Sequence, residues 1–459
     1  MARAVQPVEP ERISRLNRKP ATRGDYVLYW MQASQRAQAN PALEYSIEQA
    51  NQRAVPVVAA FGLTASYPEA NERHYAFMLQ GLVETTADLR RRGVLPVVRL
   101  GEPPEVAGEL AQGACLVVTD EGYLRHQRRW RRGLARRAPC QVVQVASDVV
   151  VPLPLASPRA EYAARTIRPK LQRHWDRFCR LPPQVPLHRD SLHLRLDGIE
   201  INDAQKILAG LNIDRSVGRS HRFSGGTTAA RRLLEDFVHL KLPRYARDRA
   251  DPSLDIQSHM SPYLHFGQIS PVEVALAVKQ SRSAGREAKA AYLEELLVRR
   301  ELAINFVARQ SRYDSYRALP AWARATLAAH RRDRRPARYT RRQLELSQTH
   351  DPYWNAAMAE MRLTGKMHNT MRMYWGKKVL EWSATPQRAF RLLLMLNNKY
   401  FLDGRDPLSY ANVAWCFGLH DRPWTPRPIF GTVRYMNAAG LERKYDIGAY
   451  VRWVESLRG

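Results

Sequence analysis

The chain has 459 residues, 45% of them apolar and 25% charged, which excludes a disordered polymer and suits two or three globular domains. Its 72 Lys+Arg against 44 Asp+Glu leave a net charge of +28, nearly all of it arginine, so a surface for cationic substrates is excluded. A polyanion such as nucleic acid is the partner this charge favours, against the competing explanation of an arginine-rich genome.

In chain order, residues 1–24 read as a basic tail without the apolar core of a secretory signal. Between 25 and 150, short apolar and β-branched runs recur at 26–31, 55–61, 95–100, 115–120 and 141–147, the pattern of strands buried on both faces. The stretch 71–92 between two of them carries Tyr75, Met78, Leu79, Leu82 and Val83 at helical spacing. Strand and helix in alternation predict an α/β Rossmann-like domain with a five-stranded parallel sheet. No GxGxxG follows the first strand, so the usual dinucleotide fingerprint is missing.

Residues 151–200 are proline-rich and read as a linker interrupted by a helical piece at 160–180. From 201 to 459 the strand signal stops. Helical periodicity covers 227–239, 271–280, 288–306, 352–365, 370–382 and 387–400, an all-α C-terminal domain. The cysteines (Cys115, Cys140, Cys179, Cys416) match neither a disulfide framework nor a metal site, so no metal is expected. No run is long and apolar enough for a membrane span. A cytoplasmic protein is the expectation, nucleoid-associated in a bacterium or archaeon.

The densest candidate chemistry lies in 368–382. Trp375 and Trp382 are two helical turns apart and share a face, and Trp354 sits in a preceding helix predicted to open at Asp351-Pro352. Such aromatics are either core or a relay for an electron between the surface and a buried redox centre. Arg372, among Met371, Met373, Tyr374 and Trp375, needs a carboxylate or an anionic ligand, and the turn at 402–407 offers Asp403 and Asp406. The segment 224–228 (SGGTT) is either a phosphate-binding helix start or a plain N-cap. Hydroxyls at Ser258 and Ser261 suit a phosphate-bearing ligand, and Glu295 lies on a helix whose other face is apolar. The segment 415–424 joins Trp415 and Trp424 to His420 and Arg422, a stacking surface beside cations of the kind that holds extruded bases.

Six segments carry a resemblance: YWMQASQRAQANPAL (29–43), YPEANERHYAFMLQGL (67–82), SPYLHFGQIS (261–270), EELLVRREL (294–302), MHNTMRMYWGKKVLEW (367–382) and LDGRDPLSYANVAWCFGLHDRPW (402–424). Together, and in this order, they resemble the class II cyclobutane pyrimidine dimer photolyases, within the photolyase and cryptochrome family. The resemblance implies an α/β antenna domain at 25–150 and an α-helical FAD- and DNA-binding domain at 201–459. It also implies a lyase in which fully reduced, anionic FAD absorbs light and lends an electron to a flipped-out dimer.

By the same resemblance, Tyr245, Ser258, Met260, Ser261 and Asn369 hold the FAD, and Arg372 and Asp403 form an ion pair beside its ring, with Asp406 in the same turn. Asn397, rather than Asn398, faces flavin N5. Trp375, Trp354 and Trp382 form the electron relay, in that order from flavin to solvent. Glu295 hydrogen-bonds a carbonyl edge of the dimer, and Met373, Arg249, Trp415, Trp424 and Arg422 bind the lesion. Ala250 and Gln257 depart from the family, which commonly has Asn and Thr there. A second antenna chromophore, a deazaflavin or a folate, is implied without being identifiable. The expected partner is double-stranded DNA containing pyrimidine dimers, bound by a monomer, with affinity falling as salt rises. The alternative on the same scaffold is a cryptochrome-like blue-light receptor without repair activity.

Overall fold

The computed structural model describes residues 7–457. Its N-terminal part is a sheet of β1 (Ile13–Arg15), β2 (Tyr26–Trp30), β3 (Val57–Leu63), β4 (Leu95–Leu100), β5 (Ala114–Asp120) and β6 (Gln141–Val145) in the order β1-β6-β5-β2-β3-β4. β2 to β6 pair in parallel, as the apolar runs predict. The sheet has a sixth strand that the sequence reading left in the basic tail. β1 runs antiparallel to β6, with Ile13 opposite Val145. Three residues with one apolar side chain give no periodic signal. Its anchor is the buried Arg12, whose guanidinium donates to the carbonyls of Ala146, Val149, Val150 and Phe178.

β2, β3 and β5 are buried along their whole length because helices cover both faces. Alternate side chains go to opposite faces. Val27, Tyr29 and Ala59 meet α1 (Pro41–Arg53) and α2 (Glu72–Arg91), while Leu28, Trp30 and Val58 meet α3 (Pro103–Leu110) and α4 (Arg125–Arg137). After α5 (Ala164–Phe178) the chain returns along the sheet edge, where Ser191 N–H donates to Gly93 O and Ile199 N–H to Val98 O. α6 (Ala204–Gly210) packs on α2, and Ile201, Leu208 and Leu211 join the core on that face, so the α/β layer reaches past residue 200.

The rest is helical: α7 (Thr227–Asp236), α8 (Pro271–Gln280), α9 (Arg286–Leu293), α10 (Arg300–Arg309), α11 (Ala321–Ala329), α12 (Pro352–Thr364), α13 (Asn369–Trp382), α14 (Pro386–Tyr400), α15 (Pro407–Cys416) and α16 (Ile447–Ser456), with shorter turns between them. One device starts α8, α12, α14 and α15: a proline at the first position behind a side-chain cap from Ser270, Asp351, Thr385 or Asp406. α12 stops at Gly365, whose φ of +77° favours glycine, and a Cβ there would lie 2.7 Å from Leu402. The single helix expected over 288–306 is instead α9 and α10 joined by a π-helical turn, Glu294–Arg299. That wider turn shifts the register of the faces and buries Leu296, Leu297 and Val298 while leaving Glu295 half-exposed.

The layers are fastened by buried polar groups. Arg36 donates to Asp148 (2.7 Å), Gly267 O (2.9 Å) and Ser147 O (3.0 Å). Glu301 accepts from Val150 N–H (2.6 Å), and Arg73 donates to Met361 O and Tyr400 O.

Candidate functional site

A cavity of about 970 Å³ enters the helical layer, at the upper end of the roughly 300–1,000 Å³ usual for small-molecule sites. Its deep side is walled by Trp375 and Asn397, both 1% exposed, together with Met260, Arg372 and Asp403. Its mouth is framed by Arg249, Glu295, Trp415 and Trp424, the last of these 40% exposed. Tyr245, Ser258, Ser261, Asn369 and Met373 line it as well. Residues expected at a flavin and residues expected at a lesion thus share one space.

The deep wall is charged and only partly satisfied. Arg372 Nη2 donates to Asp403 Oδ1 at 2.9 Å, and the guanidinium lies 3.7 Å over the Phe401 ring. Burial alone would raise the Asp403 carboxyl, but the charges of Arg372 and Lys366 and hydrogen bonds from Ser261 and Arg372 hold it well below the carboxylate range. Lys366 also donates to Ser261, and burial lowers its ammonium. Arg372 Nε, Trp375 Nε1 and His259 Nδ1 are buried at this wall without a hydrogen-bond partner among the described residues. Arg372 Nε and Trp375 Nε1 are buried donors left open and fit a ligand with acceptors, whereas neutral His259, donating through Nε2 to Asp255, offers Nδ1 as an acceptor. Burial pushes His259 down to about 4 despite Asp255, and likewise His368, so neither ring carries charge at neutral pH.

Asn397 Nδ2 donates to Asn398 Oδ1, and Asn398 donates to Glu69, away from the cavity. Of the two amides, Asn397 lines the cavity and Asn398 does not. Gln257, one of the departures from family pattern, donates to Arg249 O, contacts His368 Nε2 at 3.1 Å and accepts from Asn369, tying the loop to the start of α13. At Ala250 the backbone carbonyl accepts from Thr370.

The tryptophans lie in one core. Trp354 Nε1 donates to Trp375 O at 3.1 Å, and the Trp354 and Trp382 rings are 5.5 Å apart. Trp382 is not the solvent end expected of it, being 3% exposed. Tyr339 and His350, hydrogen-bonded to each other, cover it at 5.0 and 5.6 Å, and His350 is exposed. Their segment has no periodicity that would have marked it.

Two other expectations are corrected, and one left open is decided. Asp406 does not line the cavity: it caps α15 by accepting from Leu408 N–H and meets His265 at 3.2 Å, facing a separate cavity between the layers. A carboxylate just before a helix-starting proline is taken by the cap. Arg422 stays at the exposed rim, 5.3 Å over the Trp424 ring. The 224–228 segment binds no phosphate, because the N–H groups of Gly225, Gly226 and Thr228 already donate to Gln80, Gln268 and Glu84.

At the mouth, Arg249 Nη1 donates to Glu295 Oε1 at 2.8 Å and lies over the Tyr245 ring. Sequence reasoning missed Arg299 over the Trp415 ring, Arg434 over Trp424, and Arg222, Lys366 and Glu360 deeper in the lining. Arg299 falls inside the π-helical turn, where α-helical spacing misplaces it. Burial raises Glu360 to about 7, and it accepts from Tyr450 Oη at 2.6 Å.

A family profile described as DNA photolyase matches residues 27–187. The deoxyribodipyrimidine photo-lyase of Methanothermobacter thermautotrophicus is 47% identical over 452 residues, 98% of this chain and 99% of that protein. The enzyme of the same name from Potorous tridactylus is 37% identical over 93% of this chain and 80% of its own length. Among solved structures, a bacterial class III photolyase from Agrobacterium tumefaciens superposes with a TM-score of 0.73 at 18% identity, over 94% of this chain and 87% of that one. This last likeness concerns the fold alone.

Proposed function

The chain belongs to the photolyase and cryptochrome family, and from that premise we propose that it is a class II photolyase, repairing cyclobutane pyrimidine dimers in double-stranded DNA by light through FAD held in the 970 Å³ cavity. The observation that carries this reading is the union, in one cavity, of a deep wall of Arg372, Asp403, Asn397 and Trp375 with a mouth of Glu295, Arg249, Trp415 and Trp424. Trp375, Trp354 and Trp382 form the relay to the deep wall, extended to the surface by Tyr339 and His350.

The open donors at Arg372 and Trp375 and the hydroxyls of Ser258 and Ser261 fit a phosphate-bearing heteroaromatic ligand, which FAD is. When bound and reduced, FAD supplies on illumination one electron to the dimer and recovers it after the ring has opened. Arg372 and Lys366 keep Asp403 ionised, so the wall presents a fixed charge pattern across the neutral range. Asn397 supplies an amide that can turn between donor and acceptor. At the mouth, the Arg249-paired Glu295 carboxylate offers an acceptor. It suits the N–H of a pyrimidine imide, while the free donors of Arg249 suit the adjacent carbonyl, where charge collects when an electron arrives. Trp415 and Trp424 provide faces for the extruded bases, and the rim arginines meet the backbone.

The antenna chromophore has a candidate seat in the cavity between the layers, walled by Trp30, Tyr67, Trp130 and Glu121. At about 120 Å³ it is smaller than ordinary ligand sites, so a deazaflavin or folate needs side chains there to move.

The test is light-dependent repair. The purified protein is loaded with FAD, reduced, and mixed with an oligonucleotide carrying one thymine dimer, and thymine absorbance is followed in light and in darkness. Restoration in light alone is expected. Bound, fully reduced FAD without restoration overturns repair in favour of the receptor reading.

A further inference from the structure

Outside the cavity, α4 carries Arg125, Arg128, Arg129, Arg131, Arg132, Arg136 and Arg137 and no acidic residue. Arg125 pairs with Asp314 and Arg128 donates to Ala308 O, so the first turn of this helix faces the helical layer. Arg132 and Arg136 lie about 10–16 Å further along the axis, at the rise of 1.5 Å per residue. There they face Arg18 and Lys19 of the N-terminal segment across a groove of about 550 Å³, whose lining contains no carboxylate and shares no residue with the cavity.

Arg18, Arg129, Arg132 and Arg136 are exposed and have no salt-bridge partner among the described residues, whereas Arg168 and Arg231 elsewhere pair with Glu294 and Glu273. A helix-end role accounts for little of this. Lys19 already donates to Ala138 O just past the end of α4, and Arg129 and Arg132 lie before the last turn. Like charges four apart, as at Arg132 and Arg136, weaken a helix. Arg129, Arg132 and Arg136 form a stripe about 10 Å long, matching about three phosphate intervals of one strand at 3.4 Å of axis each.

We propose that the groove between the N-terminal segment and α4 is a second seat for the sugar-phosphate backbone of double-stranded DNA, independent of the lesion cavity. It rests on the reading of the chain as a DNA-acting protein and requires no lesion and no light. Its role is to hold undamaged duplex while the cavity mouth is free to sample bases elsewhere.

The FAD-loaded protein is titrated in the dark with an undamaged 30-base-pair duplex across a salt series. The groove variant is Arg18→Gln, Lys19→Gln, Arg132→Gln and Arg136→Gln together. A control of equal net charge carries Arg90→Gln, Arg189→Gln, Arg232→Gln and Arg282→Gln. The slope of log K against log salt is expected to shrink by about 3–4 in the groove variant and by less than about 1 in the control. If loss of Lys19 unfolds the chain, the Arg132→Gln, Arg136→Gln pair serves, with an expected change of about 2. Light-driven repair at saturating dimer is expected to be unchanged in the groove variant. Equal slopes in groove variant and control, with repair intact in the wild type, overturn the second seat alone. A wild-type chain that binds neither undamaged nor dimer-containing DNA overturns it together with the repair reading. Loss of binding to phosphatidylserine vesicles with the duplex slope unchanged assigns the groove to lipid instead and also overturns it.

Discussion

Two regions of this molecule bury charge and treat it differently. At the seam between the layers, every nitrogen of Arg36 has an acceptor, Arg12 reaches Glu9 and four carbonyls, and Glu301 accepts from two backbone N–H groups. At the deep wall of the cavity, Arg372 uses one nitrogen on Asp403 and leaves Nε open, and Trp375 and His259 each leave one ring nitrogen open. Burying a charge or a polar group without a partner is costly, so a fully satisfied network stabilises the fold and a partly satisfied one is held open for something else. Completeness of hydrogen bonding separates the two roles.

The sharpest way to break that distinction is at the seam. Arg36→Met removes all four of the Arg36 bonds and leaves Asp148 with Ser34 as its remaining side-chain partner. Stranding one member of a buried pair costs about 3–5 kcal/mol, and urea unfolding should report a loss of that size. Arg372→Met at the cavity leaves Asp403 with Lys366, so the same assay should move by less than half as much while FAD retention falls. Equal losses of stability in the two variants would erase the distinction.

The same contrast explains what the sequence could and could not disclose. Buried parallel strands announce themselves because they are apolar on both faces, and helix starts such as Asp351-Pro352 because cap and proline are adjacent in sequence. The Arg372–Asp403 pair was legible because an arginine among Met371, Met373 and Trp375 has to find an anion. Local patterns carry no information about competition between partners. Asp406 looked equivalent to Asp403 until the cap of α15 claimed it, and the amides of Gly225 and Thr228 are closed by side chains of α2, some 145 residues away in sequence. β1 and the Tyr339–His350 cover over Trp382 were invisible for a related reason, since each is fixed by contacts with other segments and has no period.

Glu301 sharpens the comparison through pH. Burial raises its carboxyl to about 7, against hydrogen bonds from Val150 and Val151 and the charge of Arg300. A carboxyl with a raised folded value binds its proton more tightly when folded, so its stabilising contribution is full below about 4.5 and is lost as pH rises through about 7. For a shift of this size the loss is up to about 3 kcal/mol. Glu301→Gln keeps an acceptor for both N–H groups without the titration. Melting temperatures from pH 5 to 8 should fall more steeply in the wild type than in the variant, and parallel profiles would remove Glu301 from the account.

At the cavity mouth the expected effect moves from stability to activity. Glu295 and Arg249 are each 37% exposed, and such a pair contributes about 0–1 kcal/mol to folding. Glu295→Gln should therefore melt within a few degrees of the wild type. Losing the charged acceptor for the lesion should slow repair about 10- to 100-fold, a transition-state loss of about 1.4–2.7 kcal/mol. Repair at the wild-type rate would place the lesion elsewhere. A large drop in melting temperature would make Glu295 a seam residue.

The smallest effect tests the criterion where neither region applies. Arg335, 7% exposed, lies in an arginine-rich stretch beside the turn that carries Ile429, and none of its three side-chain nitrogens has a hydrogen-bond partner among the described residues. Burial lowers its guanidinium, opposed by the charge of Asp333, whose Oδ2 accepts from Ile429 N–H and meets His330 Nδ1 at 2.7 Å. A buried cation without acceptors burdens the fold, and an apolar side chain of similar length relieves it. Arg335→Met should raise unfolding stability by up to about 1 kcal/mol, the opposite sign to Arg36→Met. If both arginine replacements destabilise, hydrogen-bond completeness is not what distinguishes them, and burial of the aliphatic stem is the property that matters at both positions.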